Sequence, residues 1–289
     1  AAGVEDYLAP EILRITELPP GCITKQRGGV AVRGSFAQAM QLNLWSRLAQ
    51  RVLVLVSHTE YRSEQDIYRA AMAVPWEQWF TPKESIKVEI TAQHSPLTSL
   101  NFAALKVKDA VCDRFRDTSG GVRPDVNTQW PDVRIYAHLT TDSCSLYIDT
   151  SGEPLHKRGT KLSVGKAPLR ETMAALFLRA CGYAGGEPVL DPMCGSGTFV
   201  IEAAEIALGL CPGRSRAFAF ERLATFDPGA WAALKGTGAS EAGASGAASD
   251  ATPRFFGSDR DDGAIRSAQA NAERAGVAGA VQLRGGDAL

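Results

Sequence analysis

One short stretch constrains this chain more than any other: Leu190-Asp191-Pro192-Met193-Cys194-Gly195-Ser196-Gly197-Thr198. Pro188 to Asp191 reads as a short buried strand, Pro192 to Thr198 as a glycine turn, and the apolar, alanine-rich run from Phe199 to Leu208 as a helix. Strand, tight turn and helix in that order fit an α/β layer, where ligands lie against loop backbone at the carboxyl edge of the sheet. Gly195 and Gly197 remove side chains that would block such an approach, and they permit unusual dihedrals. The Asp191 carboxylate stands where it attracts a cationic group. The pattern is not the dinucleotide fingerprint, whose third glycine would fall at Val200, nor a phosphate-binding P-loop, because no lysine follows the glycines.

The same grammar continues downstream. Arg254 to Asp259 reads as a second strand, Gly263 to Ala275 as a helix stopped by Gly276, and Ala280 to Leu283 as a third strand. An acid at the end of the second strand, Asp259, can hold both hydroxyls of a ribose, or cap the helix that starts near Asp261. Asp287 follows the third strand and is either a contact for an adenine amino group or a solvated turn acid. The small-residue stretch 236–253 is expected to be a flexible surface insertion.

The front half mixes strands and helices. Val30 to Val32 and Arg51 to Val56 read as strands, the second buried, and Phe36 to Arg51 as a helix with Leu42, Trp45, Leu48 and Ala49 on one face. Glu64 to Ala73 and Phe102 to Arg116 have helical spacing, and Ile86 to Ile90 alternates as a half-buried strand. Val133 to Leu139 and Ser145 to Asp149 form a hairpin about Thr140–Ser143. Leu169 to Ala180 reads as a helix with Pro168 at its first position.

At 289 residues the chain is long enough for two or three domains. Its 45% hydrophobic and 22% charged residues are ordinary for a globular protein, and no apolar run is long enough to cross a bilayer. The N-terminus has no secretory pattern, and six scattered cysteines without a C-x-x-C pair indicate neither a metal site nor a disulfide framework, so a reducing cytoplasm is expected. A net charge of −1 does not announce a nucleic-acid binder. Basic residues cluster locally, however: from His156 to Arg170 stand Lys157, Arg158, Lys161, Lys166 and Arg170 with no acid. That run is either a solvated linker or a contact for phosphate.

At these residues the chain resembles the bacterial 23S ribosomal RNA guanine methyltransferases that carry a THUMP domain. Four stretches carry the resemblance: Tyr147 to Gly152 with Leu155 to Gly159; Ala167 to Thr172; Asp191 to Thr198 with Ile201 to Ala204; and Gly257 to Asp259 with Asn271-Ala272. Leu42 to Arg47 and Val107 to Val111 extend it into the front half. The resemblance implies an α+β RNA-binding region, ferredoxin-like plus THUMP, followed by an α/β Rossmann-like class I methyltransferase domain using S-adenosylmethionine (SAM). The expected division is a ferredoxin-like unit at 1–58, a THUMP domain at 59–155, a linker at 156–166 and the start of the methyltransferase domain at 167–289. Carried over, Asp191, Pro192, Cys194, Gly195, Gly197 and Thr198 would line the methionine end of SAM, Asp259 the ribose and Asp287 the adenine. Leu169 to Glu171 would begin a helix packed beneath the cofactor. Lys157, Arg158, Lys161 and Lys166 would meet RNA phosphate.

The resemblance also sets an expectation about what is missing. The family's catalytic motif, (N/D)-P-P-(Y/F), follows a fourth strand and occurs nowhere in this sequence. The methyltransferase domain is therefore expected to be incomplete at Leu289, with no catalytic residue in this chain. The reaction implied is methylation of a guanine 2-amino group in 23S rRNA, without metal or membrane. The alternatives are methylation of tRNA or of a DNA amino group, or a non-catalytic RNA-binding fragment.

Overall fold

The computed structural model describes residues 3–161, 169–244 and 254–286. These fall into two compact units, 51–153 with 217–228 in one and the remainder in the other.

The remainder begins with helix α1 (Glu5–Thr16), the antiparallel hairpin β1 (Ile23–Gln26) and β2 (Gly29–Val32), and helix α2 (Phe36–Trp45). Ser35 caps α2 in a reciprocal box with Gln38. The helix stops earlier than the apolar spacing predicts. Buried Glu11 of α1 accepts hydrogen bonds from Ser46 Oγ at 2.7 Å and from the Arg47 and Leu48 N–H groups at 3.1 and 3.3 Å. A buried carboxylate has to be satisfied, and here it draws the chain out of the helix.

The second unit is a four-stranded sheet with two helices: β3 (Leu53–Glu60), α3 (Glu64–Ala73), β4 (Ile86–Ala92), α4 (Leu100–Thr118), β5 (Val133–Leu139) and β6 (Ser143–Asp149). The strand order is β3-β6-β5-β4; β4 and β5 are parallel and the other pairs antiparallel. Trp76, Phe80 and Phe115 fill its interior with Ile135 and Ile148. Two expectations are corrected. Strand β3 belongs to this sheet, so the first boundary lies near residue 50 rather than 58, and it is an edge strand with Leu53 and Leu55 exposed rather than a buried one.

The chain then returns to the first unit. Residues 154–161 pack there rather than forming a free linker. Helix α5 (Glu171–Ala180), β7 (Val189–Asp191), α6 (Thr198–Ala207), α7 (Pro228–Ala244), β8 (Phe255–Asp259), α8 (Asp262–Ala275) and β9 (Val281–Gly285) follow. Strands β7, β8 and β9 form a parallel sheet in that order, with Asp191 opposite Gly257 and Asp259 opposite Gly285. Val200, Ala203, Phe255 and Ala272 make the core between sheet and helices. Leu190 is exposed, so β7 is not the buried strand its composition suggests. Residues 236–244, expected to be flexible, continue α7; 245–253 lie outside the described residues. So does Pro168, and α5 begins at Glu171. Among the described residues no helix is long and apolar enough to cross a membrane.

Candidate cofactor cleft

The site is built where β7 and β8 end. The Asp191 carboxylate turns back to accept from the Met193 N–H at 3.0 Å, which starts the loop. The Cys194 N–H donates to the Ser258 carbonyl at 2.9 Å and the Gly197 N–H to the Cys194 carbonyl at 2.8 Å, which closes it. Gly195 (φ +53°) and Gly197 (φ +81°) both adopt the left-handed conformation. A Cβ at Gly195 would meet nothing within 4 Å, so this backbone faces open space. A Cβ at Gly197 would come within 3.1 Å of Ala268 Cβ, so here the loop packs on α8.

On the neighbouring strand end, Asp259 Oδ2 accepts from the Gly195 N–H at 2.9 Å and Oδ1 from the Asp261 N–H at 3.0 Å. Asp261, not Asp259, caps α8, through the Gly263 and Ala264 N–H groups. Asp259 is thereby aimed at the glycine loop.

The electrostatics of the two carboxylates differ. Burial pushes Asp191 above the usual carboxylate range, the charge of Asp259 adds to this, and the Met193 N–H opposes it. Asp259 lies below the usual range because the Asp261 and Gly195 N–H groups donate to it. The hydrogen bonds that hold both acids come from backbone N–H groups. Adjoining anions of this kind, beside an open stretch of backbone, fit a cationic ligand with a flat or extended body. Cys194 contributes through its backbone only. Its thiol is buried against β8, where a Cβ on Gly257 would lie 3.0 Å from the sulfur, and burial with the two acids pushes it up to about 11.

A second layer, which the reading of the sequence missed, lies behind the loop. Glu202 and Glu205 of α6 are buried. Glu202 pairs with Arg47 at 2.8 Å and Arg158 at 3.1 Å; Glu205 pairs with Arg214 at 2.6 Å. Two acids on the inner face of an otherwise apolar helix were the available signal, since buried charges require partners. Lys161 Nζ donates to Thr198 Oγ1 at 2.8 Å and to the Leu169 carbonyl at 3.0 Å, with the Glu171 carboxylate at 3.6 Å. Burial raises Glu171 above the usual carboxylate range, and the Lys161 ammonium works against that. A cavity of about 20 Å³, room for about one water, lies among Arg158, Lys161, Glu171, Ser196 and Asn271.

These contacts correct part of the predicted phosphate-binding set. Arg158 is 3% exposed and ion-paired, and Lys161, its side chain 13% exposed, is turned to Thr198, so neither is displayed to a phosphate. Lys157 is exposed. Lys166 and Asp287 lie outside the described residues. The structure brings together Asp191, Pro192, Gly195, Gly197, Thr198 and Asp259, with the Thr198 hydroxyl turned to Lys161.

The chain matches the RlmL ferredoxin-like domain over residues 1–53, the THUMP domain over 61–149 and the RMKL-like methyltransferase domain over 158–289. It is 39% identical to "Ribosomal RNA large subunit methyltransferase K/L" of Psychromonas ingrahamii, over 91% of this chain and 35% of that protein. It is 34% identical to "Putative RNA methyltransferase slr0064" of Synechocystis, over 97% of this chain and 71% of that protein. The chain thus spans little more than a third of the K/L relative. Among solved structures, "SMU.472, a putative methyltransferase complexed with SAH" superposes with a TM-score of 0.85 at 27% identity, covering 100% of this chain and 74% of the other.

Proposed function

The chain belongs to the THUMP-domain methyltransferase family that includes the ribosomal RNA large subunit methyltransferases K/L, and from that premise we propose that it is the RNA-binding and cofactor-binding part of a SAM-dependent RNA methyltransferase. The observation that carries the cofactor reading is the open backbone at Gly195, set between the carboxylates of Asp191 and Asp259.

The residues present fit SAM. When bound, SAM supplies an electrophilic methyl group on a sulfonium. Asp191 attracts the ammonium of the methionine moiety, since its burial and the neighbouring charge of Asp259 both favour a cation seated beside it. Gly195 and Gly197 leave the backbone bare, so that the ligand approaches to van der Waals distance. Asp259 keeps lone pairs beyond its two backbone bonds, and these accept from ribose hydroxyls. Lys157 would reach an RNA phosphate.

The finer reading is methylation of the 2-amino group of a guanine in 23S rRNA. Its support is the resemblance to the K/L enzymes and the THUMP domain. The guanine 2-amino lone pair is delocalised into the ring, so catalysis depends on hydrogen-bond acceptors that orient the amine and an aromatic that stacks the base. In this family the (N/D)-P-P-(Y/F) motif serves that role, and this chain does not contain it.

The test is methyl transfer from labelled SAM by the full-length protein that carries this chain. Undermodified 23S rRNA, tRNA and DNA are offered in parallel and digested to nucleosides. Label in 2-methylguanosine from rRNA is expected. Label confined to tRNA or DNA would overturn the substrate, and label nowhere would leave an RNA-binding module.

A further inference from the structure

We propose that Thr160 and Lys161 form a strut that positions the cofactor loop, with Lys161 acting as a positioning residue for SAM rather than as an RNA contact; this rests on the reading of the cleft as a SAM site. A lysine ammonium at the N-terminal end of a helix opposes the helix dipole. At 13% exposure it has also given up most of its hydration. Lys161 nevertheless sits at the start of α6, and its ammonium is placed by three groups. The Thr198 hydroxyl and the Leu169 carbonyl accept its hydrogen bonds, and Glu171 balances its charge. Thr198 is the first residue of α6, directly after Gly197, so the bond fixes the point where loop becomes helix.

The preceding residue reaches the same loop from the other side. The Thr160 carbonyl accepts from Arg274 Nε at 2.8 Å, another nitrogen of that guanidinium donates to Asn271 Oδ1, and Asn271 Nδ2 donates to the Ser196 carbonyl at 3.1 Å. Thr160 and Lys161 therefore brace Ser196 and Thr198, the two residues flanking Gly197. The strut itself is anchored. At Gly159 (φ +83°) a Cβ would lie 2.3 Å from the Ser215 carbonyl oxygen, so only glycine lets the backbone seat there. A cavity with room for about one water lies behind the loop, so these polar contacts add to the packing of Gly197 on α8 in supporting it. A loop with two left-handed glycines has little stiffness of its own, so its bound geometry depends on such bracing.

The experiment is calorimetric titration of SAM into this chain as wild type, Lys161→Met, Lys161→Arg, Thr198→Val and the double variant Lys161→Met/Thr198→Val, with RNA retention measured against salt for each. Loss of one charge-assisted hydrogen bond at the loop is expected to weaken SAM roughly tenfold in Lys161→Met. Lys161→Arg, which keeps charge and donors, is expected to recover most of that loss. The double variant is expected to be no weaker than the worse single one, because both remove the same contact. RNA retention and its salt slope are expected to stay as in wild type. Should Lys161→Met fail to fold, Thr198→Val breaks the same bond with the lysine in place, and its SAM affinity decides. Unchanged SAM affinity in Lys161→Met and Thr198→Val, or additive losses, would overturn the strut. A salt slope that flattens in Lys161→Met would return the residue to RNA. A wild type that binds no SAM would sink the reading of the cleft itself, and the strut with it.

Discussion

Asp191 is the residue where stability and binding pull apart. Its proton affinity is raised by burial and by Asp259. A cation seated beside it favours the carboxylate, so the bound form has the lower pKa. SAM affinity should therefore fall as pH drops through the raised value of the free protein and level off above it. The sign for folding is opposite. An acid whose folded pKa is raised costs stability once ionised, and that cost is present above the raised pKa and absent below the unfolded one. Asp191→Asn should accordingly abolish the pH dependence and weaken SAM, yet leave the apo protein at least as stable near neutral pH; titration and thermal unfolding on one preparation check both. Arg158 is the contrasting case. Removing a buried guanidinium leaves Glu202 with Arg47 as its remaining partner and opens space beside it, so Arg158→Ala should cost about 1–3 kcal/mol of stability in denaturant unfolding. An RNA salt slope that changes while stability does not would contradict that placement. The basic run in the sequence did not reveal this, because the counter-charges of Arg158 stand on α6, more than forty residues on.

At the scale of elements, the strand–turn–helix around Asp191 was legible because its signals are local: an apolar run, two glycines, then alanines. The parallel order of β7, β8 and β9 followed from the same grammar. What was not legible depended on distant partners. The end of α2 is set by Glu11, and the exposure of β3 by its place at a sheet edge. The interlock of loop and sheet is testable at Gly257, where a Cβ would lie 2.8 Å from Leu283 Cδ2 and 3.0 Å from Cys194 Sγ. Gly257→Ala should push β9 and the cofactor loop aside together, lowering stability by roughly 1–3 kcal/mol and weakening SAM in the same variant. Lost stability with intact SAM affinity would show that the loop is held independently of β8.

For the whole molecule, the family and the architecture could be read from motifs, whereas the RNA surface could not. Of the four basic residues singled out for phosphate, Lys157 alone is described and exposed. Lys157→Ala is predicted to reduce the salt slope of RNA binding by about one, the signature of one phosphate contact, without altering SAM affinity. An unchanged slope would move the RNA surface away from this segment.

If the loop Asp191–Thr198, with Asp259, is a SAM site, it binds a cation and does so better once Asp191 is ionised. Titration of SAM into this chain at two pH values, one below and one above the raised pKa of Asp191, tests it most directly. Saturable binding at one site is expected, tighter at the higher pH, displaced by S-adenosylhomocysteine, and reduced in Asp259→Ala. Absence of binding, or binding indifferent to both pH and Asp259, would contradict it.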